Sequence, residues 1–185
     1  MEPITITHTK AGQLTELVVC LEGGAPVDAA DDHGATALHY ACYDQQATVV
    51  DVLLRHGADP TNADPHFGAD AVGWLDQSVF DGRGPGTQVA RRLIESGCAV
   101  DASRAVVFDL PDLLGDLVAA DPALLTERPL LHDALYLDRP VCVRVLLHAG
   151  ADPSATFPGL DDEDYHVPAS TFAAQLGREA LLASA

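Results

Sequence analysis

Residues 31–59, DDHGATALHYACYDQQATVVDVLLRHGAD, decide how this chain of 185 residues is organised. Apolar residues recur at helical spacing in the second half of the stretch, for example at Val49, Val50 and Leu53. Gly57 directly follows this amphipathic segment, as is typical of the left-handed residue that ends a helix. The stretch therefore predicts a unit of two helices joined by a turn and ended by a glycine.

The end of this stretch recurs along the chain, each time directly after an amphipathic segment. The recurring segments are GGAPVDAAD (23–31), HGADPTNAD (56–64), SGCAVDASR (96–104) and AGADPSATF (149–157). Their aligned glycines lie 33, 40 and 53 residues apart. The second spacing is one period with an insertion, and the third has room for one full unit and one short unit. A fixed period of this length predicts a repeat protein.

The second unit carries the motif that identifies the repeat. Gly34, Thr36, Leu38, His39 and Ala41 form G-x-T-A-L-H-x-A, which resembles the ankyrin-repeat signature T-P-L-H-x-A with alanine in place of proline. The resemblance implies an all-α fold, an ankyrin-repeat α-solenoid of about five to six helix-turn-helix units with degenerate terminal caps. The sequence is expected to form a single domain over residues 1–185. Its predicted units are 4–30, 31–63, 64–101, 102–125, 126–155 and 156–185.

Charge limits the kinds of partner. The chain has 28 acidic and 10 basic residues, a formal net charge of −18. Nucleic acid and anionic membranes are disfavoured because their phosphates repel such a surface, whereas a basic protein partner is favoured. No apolar run is long enough to span a membrane and the start does not resemble a secretory signal, so a cytoplasmic protein is expected. A single lysine among many Ala, Asp and Gly residues indicates a GC-rich, bacterial genome.

Cysteine and histidine patterns favour structural roles. The four cysteines lack the spacing of zinc ligands and lie in apolar helical segments, so we expect core residues, no metal and no other cofactor. His39 and His132 both occupy the histidine position of the motif. The resemblance implies that this histidine is a buried hydrogen-bonding residue. His39 is therefore interpreted as the group that ties a turn to its helix.

The same resemblance indicates where a partner would bind. Ankyrin-repeat proteins usually contact partners through turn tips and the variable positions of the first helix of each pair. Aromatic side chains with acidic neighbours are suitable anchors for such contacts. The predicted partner-binding residues are Asp32, His33, Tyr43, Asp44, His66, Phe67, Gln77 and Tyr136.

The third unit departs most from the motif and leaves an alternative open. Gly73 stands where the histidine is expected, Trp74 follows it, and residues 80–86 form a Gly- and Pro-rich insertion. Trp74 shares the position of Tyr40, and the two are expected to pack together. The leading hypothesis is a non-enzymatic protein-binding module.

The alternative hypothesis is a small-molecule-binding protein or an enzyme with a His/Asp acid–base site near Trp74. Its candidate catalytic residues are His132, Asp133 and Asp70, because the fold could bring an imidazole and a carboxylate together. The roles of the 80–86 insertion and of the acidic loop 161–164 stay open at this stage.

Overall fold

The computed structural model describes residues 2–159 and 163–183. These residues are helical with intervening turns and contain no strand, only an isolated bridge between Ala30 and Thr36. None of the helices in the described ranges is long and apolar enough to cross a membrane. The predicted all-α class is confirmed. Two residues of the predicted acidic loop, Asp161 and Asp162, lie outside the described residues.

Contacts divide the chain into two compact units, and the first is Met1–Ala99. It contains three helix pairs, in which the first helices pack side by side in the order α1, α3, α5, and α4 packs on α6. The helices are α1 (Ile4–Lys10), α2 (Leu14–Glu22), α3 (Ala37–Tyr43), α4 (Ala47–Arg55), α5 (Ala71–Phe80) and α6 (Thr87–Glu95).

The second unit is Val100–Ala185. Its first helices pack in the order α7, α10, α12, and its second helices in the order α8, α11, α13. The helices are α7 (Ala102–Val107), α8 (Pro111–Ala120), α9 (Leu124–Glu127), α10 (Leu130–Tyr136), α11 (Pro140–His148), α12 (Ala169–Gln175) and α13 (Glu179–Leu182), with a 3₁₀ turn at Glu163–His166. A single domain over the whole chain stays a prediction.

Small residues at turns allow the helix pairs to stack. Gly34, at the tip before α3, has a φ of +84° and lies against Pro65 in the next turn. A Cβ at this position would stand 2.2 Å from Pro65 Cδ, so the turn requires glycine for both its backbone conformation and its packing. The stacked tips place the residues of successive turns next to one another.

Apolar side chains fill the interior of each unit. Leu38, Leu53 and Leu75 are buried in the first unit, as are Leu114 and Leu146 in the second. Cys42 and Cys142 are also fully buried, as expected for core residues. Cys20 and Cys98 are only half-buried, so the expectation that all four cysteines lie in the core is not met.

Candidate binding cleft

His39 holds a turn against its helix, which confirms the sequence interpretation. Its Nδ1 accepts the backbone N–H of Thr36 at 2.9 Å, so it caps the start of α3. Its Nε2 donates to the carbonyl of Asn62 at 2.9 Å, which ties α3 to the following loop. The side chain is 1% exposed, and burial lowers the pKa of the imidazole. With both nitrogens engaged, His39 is a structural residue.

Asp31 and Asp64 organise two successive turns in the same way. One oxygen of Asp31 accepts the N–H groups of His33 and Ala35, and the other accepts the Tyr40 hydroxyl at 2.6 Å. One oxygen of Asp64 accepts two N–H groups of its own turn, and the other accepts an aromatic donor on the next helix. Each carboxylate therefore fixes the turn and orients one aromatic side chain.

The second of these turns is one residue longer than the first. Gly34 follows Asp31 by three positions, whereas Gly68 follows Asp64 by four. The longer turn contains Phe67, whose N–H donates to Asp64 Oδ1 at 2.7 Å and whose side chain is 70% exposed. The extra residue thus presents an apolar ring to solvent from a hydrogen-bonded turn.

Trp74 is the centre of an aromatic cluster on the first unit. Its ring centroid lies 5.3 Å from those of His39 and Tyr40, as expected from the shared motif position. The rings of Tyr43 and Phe67 lie 6.2 and 6.0 Å from it, with interplanar angles of 85° and 78°. Edge-to-face geometry of this kind is favourable for aromatic pairs. The cluster joins α3, the 64–68 turn and α5.

A cleft of about 710 Å³ opens beside this cluster. It is bounded by residues of α3, the 64–68 turn and the residue that follows it, α5, and the residue that follows α5. Its lining residues are Tyr43, Phe67, Ala69, Gly73, Trp74, Gln77 and Asp81. Gly73 lines the cleft at the position where His39 stands in the second unit, so no side chain projects there. A Cβ on Gly73 would be crowded, at 3.0 Å from the Cβ of Ala69.

One carboxylate gives the cleft its charge. Asp81 accepts the hydroxyl of Tyr43 on one oxygen and the side-chain amide of Gln77 at 2.8 Å on the other. These hydrogen bonds, from Tyr43 first and Gln77 second, lower the pKa of Asp81. The cleft is therefore an aromatic surface beside an ionised, exposed carboxylate at neutral pH.

Two cations already lie on tyrosine rings next to the cleft. The guanidinium carbon of Arg83 lies 4.4 Å from the ring centroid of Tyr43, and an Arg83 nitrogen pairs with Asp44 at 2.9 Å. The Lys10 ammonium lies 3.8 Å from the ring centroid of Tyr40. Neither cation lines the cleft itself. The aromatic surface of this unit thus attracts cations from its own chain.

Most of the predicted partner-binding residues lie on this unit. Tyr43, Phe67 and Gln77 line the cleft. The rings of His33 and His66, at neighbouring turn tips, are 5.4 Å apart. Asp32 and Asp44 also belong to this unit but do not line the cleft: Asp32 is exposed in the turn of His33, and Asp44 pairs with Arg83. Tyr136 is 58% exposed on α10 of the second unit.

The residues of the alternative catalytic site have other structural partners. Asp70 caps α5 by accepting the N–H of Gly73 at 2.9 Å. In the second unit, His132 Nε2 donates to the carbonyl of Val167 at 2.9 Å, and Asp133 accepts the hydroxyl of Tyr165. The described residues that line the cleft include one carboxylate, that of Asp81, and no histidine. His39 and Asp64 do contact Trp74, but both nitrogens of His39 are bonded to backbone groups.

Asp81 is the cleft residue that the sequence reasoning missed. It follows Gln77 by four positions, a spacing that puts two side chains on one helix face. Sequence alone placed it in the insertion rather than at the end of that helix. Within residues 2–159 and 163–183, no group of three or more His, Cys, Asp or Glu side chains could hold a metal ion.

Comparison with known proteins identifies the repeats. A family model described as "Ankyrin repeats (many copies)" matches residues 17–66. Residues 17–66 therefore carry ankyrin repeats. Over 44 residues, 24% of this chain, it is 52% identical to the ankyrin repeat and LEM domain-containing protein 1 homolog of Caenorhabditis elegans. The match spans only 6% of that relative's length.

A solved ankyrin-repeat structure is similar in fold to nearly the whole chain. The crystal structure of the human ASB11 ankyrin repeat domain matches with a TM-score of 0.66 and 20% identity, over 98% of this chain and 83% of that chain. This likeness confirms the predicted ankyrin-repeat fold. Ankyrin repeats are generally modules of protein–protein interaction. This agrees with the general part of the leading hypothesis, that the chain binds a protein.

Proposed function

We propose that this ankyrin-repeat chain is a non-enzymatic module that binds a protein partner carrying a basic patch. The binding surface is the cleft between α3 and α5 together with the neighbouring turn tips. The observation that carries the proposal is that one cleft is lined by both the exposed ring of Phe67 and the ionised carboxylate of Asp81. Aromatic anchors in partly enclosed sites commonly dominate the energy of protein interfaces.

Charge complementarity supports a basic partner. The chain has a formal net charge of −18, and among the described residues that line the cleft Asp81 is the one with a charged side chain. Opposite charge on the partner accelerates the encounter and disfavours acidic competitors. Lys10 and Arg83 show that cations are stable over the tyrosine rings of this unit.

The alternative of a small-molecule site has one observation in its favour. A volume of about 710 Å³ falls within the range usual for ligand pockets. The described lining residues offer one carboxylate, that of Asp81, as a polar group that could bind such a ligand. The cytoplasmic location and the bacterial origin, like the basic character of the partner, stay predictions from the sequence.

Affinity capture with matched variants tests the proposal. The immobilised chain is exposed to extract of its native cells, beside a variant with Phe67→Ala and Asp81→Asn. Both side chains are exposed, so we expect the melting temperature to stay near that of the parent chain. A basic protein captured by the parent and lost from the variant is the expected result.

Val19→Ala provides the control for surface hydrophobicity. Val19 is 63% exposed on α2, in the same unit as Phe67 but outside the cleft lining. We expect this variant to retain the partner. Tyr136→Ala shows separately whether the second unit contributes. The proposal fails if the double variant captures the same protein as efficiently as the parent, or if the captured protein is acidic.

A further inference from the structure

The cleft offers three aromatic rings in a box-like arrangement. The planes of Tyr43 and Phe67 stand at 85° and 78° to the plane of Trp74, each with its centroid about 6 Å from that of Trp74. Gly73 keeps the space next to Trp74 free of a side chain. A flat group can therefore enter beside the rings and contact them.

The nearby cations indicate which group would fit. Arg83 combines a ring contact with an ion pair, since its guanidinium lies over Tyr43 while one nitrogen pairs with Asp44. The cleft has a similar combination, with Trp74 and Phe67 as rings and Asp81 as the carboxylate. No cation is among its described lining residues, although Arg83 acts on Asp81 electrostatically from outside the lining. A cation supplied by a partner could contact the rings of Trp74 and Phe67 and pair with the carboxylate of Asp81.

From this geometry we infer that the cleft binds the side chain of an arginine in an extended basic segment of the partner, an inference that rests on the proposed function. The guanidinium stacks against the aromatic rings and donates to Asp81. Each oxygen of Asp81 accepts one hydrogen bond from within the protein, from Tyr43 or Gln77, and a carboxylate oxygen has room for a second.

Arginine is favoured over lysine for two physical reasons. Its guanidinium is planar and weakly hydrated, so it stacks on an aromatic face with a smaller loss of hydration than an ammonium group. It also presents paired N–H donors that match the two oxygens of a carboxylate. Lysine would gain the charge attraction and a ring contact of the kind that Lys10 makes with Tyr40, but neither planar stacking nor the paired hydrogen bonds.

The only tryptophan of the chain is Trp74, so its fluorescence reports directly on the cleft. The probes are two acetylated, amidated tripeptides, glycyl-arginyl-glycine and glycyl-lysyl-glycine, titrated at about 0.15 M salt to screen long-range attraction. We expect a saturable change in emission with the arginine probe and a dissociation constant roughly tenfold higher for the lysine probe.

Three variants define the site. Phe67→Ala removes a ring, and Asp81→Asn removes the charge while keeping a polar side chain; each is expected to weaken arginine binding by roughly tenfold or more. Asp116→Asn, at an exposed position on α8 of the second unit, makes the same change of net charge and should leave binding intact.

Three results would overturn the inference: equal affinity for both probes, no saturable response to arginine, or a response that survives in Phe67→Ala and Asp81→Asn. The proposed function can be judged separately. If the captured partner still depends on Phe67 and Asp81 while the probes fail, the module stands and the arginine assignment falls. If capture also fails to depend on the cleft, both are wrong.

Discussion

Asp64 accepts the indole N–H of Trp74 at 2.8 Å from a position that has no solvent exposure. The other oxygen of Asp64 accepts the N–H groups of His66 and Phe67 at 3.0 and 2.7 Å. One buried carboxylate therefore orients Trp74 and fixes the turn that presents Phe67. Burial opposes its ionisation, but the hydrogen bonds outweigh this effect and lower the pKa of Asp64.

Removing this carboxylate should destabilise the first unit. Asp64→Ala leaves the indole N–H and two backbone N–H groups without their acceptor, and we expect the free energy of unfolding to fall by about 2–3 kcal/mol. Chemical denaturation measures the change. Asp31→Ala is the matched comparison, because Asp31 serves the preceding turn but is partly exposed, so its donors can reach water. An equal loss in both variants would contradict the role given to burial.

His39 should make stability depend on pH in a defined direction. Burial lowers its pKa from the ordinary value of 6.5, so the unfolded chain binds a proton at pH values where the folded chain does not. The unfolding free energy therefore falls as pH drops below about 6.5 towards the lowered pKa of the folded state. Denaturation at a series of pH values between about 7 and 5 measures this slope.

His39→Gln separates titration from capping. Glutamine at the third helical position can accept the N–H of the capping residue, here Thr36, but it does not titrate. We expect a lower overall stability, since the bond to Asn62 is altered, together with a shallower slope against pH. An unchanged slope would show that the pH dependence arises elsewhere.

Gly34 and Gly57 form a natural pair for measuring packing between turns. Their φ angles are +84° and +85°, so alanine has a similar backbone cost at both, about 1–2 kcal/mol. A Cβ on Gly34 meets Pro65, whereas a Cβ on Gly57 meets no atom within 4 Å. Gly34→Ala should therefore cost at least about 1 kcal/mol more than Gly57→Ala.

A second substitution checks the cause of that difference. Adding Pro65→Ala to Gly34→Ala removes the ring atoms that the new methyl group would contact. We expect the double variant to recover part of the excess loss in a double-mutant cycle of unfolding free energies. Strictly additive changes in the unfolding free energy would mean that the contact with Pro65 is not what makes Gly34→Ala more costly.

The buried thiols should be inert until the protein unfolds. Burial raises the pKa of Cys42, and burial together with the nearby Asp109 carboxylate raises the pKa of Cys142 to about 12. At pH about 8 the reactive thiolate is then a minute fraction of either residue. Alkylation followed by mass spectrometry should label both only in denaturant. Labelling of either residue in the folded protein, without denaturant, would contradict this prediction.

Local patterns in the sequence were sufficient to predict the helices and the structural role of His39. The 33-residue period and the motif at Thr36 to Ala41 reflect contacts that residues make within one repeat or with the next repeat, and such contacts leave a pattern in the sequence. Gly73 and Trp74, the positions one unit later at which the motif is altered, line the cleft.

The spacing from Gln77 could have placed Asp81 on the cleft face only if α5 were known to extend to Phe80, and the turn that follows α5 is held by residues distant in the chain. The Gly-rich turn after α5 is bound by Gln45, whose amide donates to the Gly84 carbonyl and the Ser78 hydroxyl at 3.0 Å each. These partners are 39 and 33 residues away from Gln45 in the chain. The pattern predicted an insertion at 80–86 but not that its start would complete a cleft.

Arg83 should compete with a basic partner for the acidic surface next to the cleft. Its ion pair with Asp44 is solvent-exposed, so Arg83→Ala is expected to change the unfolding free energy by less than about 1 kcal/mol. Removing this cation makes the potential near Tyr43 more negative, which should tighten binding of the partner or of the arginine probe. Trp74 fluorescence titration measures the change.

Arg91→Ala is the control for this effect. Arg91 is exposed on α6 and does not line the cleft, so its removal changes the net charge equally without removing a cation from Tyr43. A gain in affinity for Arg83→Ala that exceeds the gain for Arg91→Ala identifies local competition, and rising salt should reduce the difference. Weaker binding by Arg83→Ala alone would instead mean that Arg83 is needed to hold the Tyr43 ring in place for the partner.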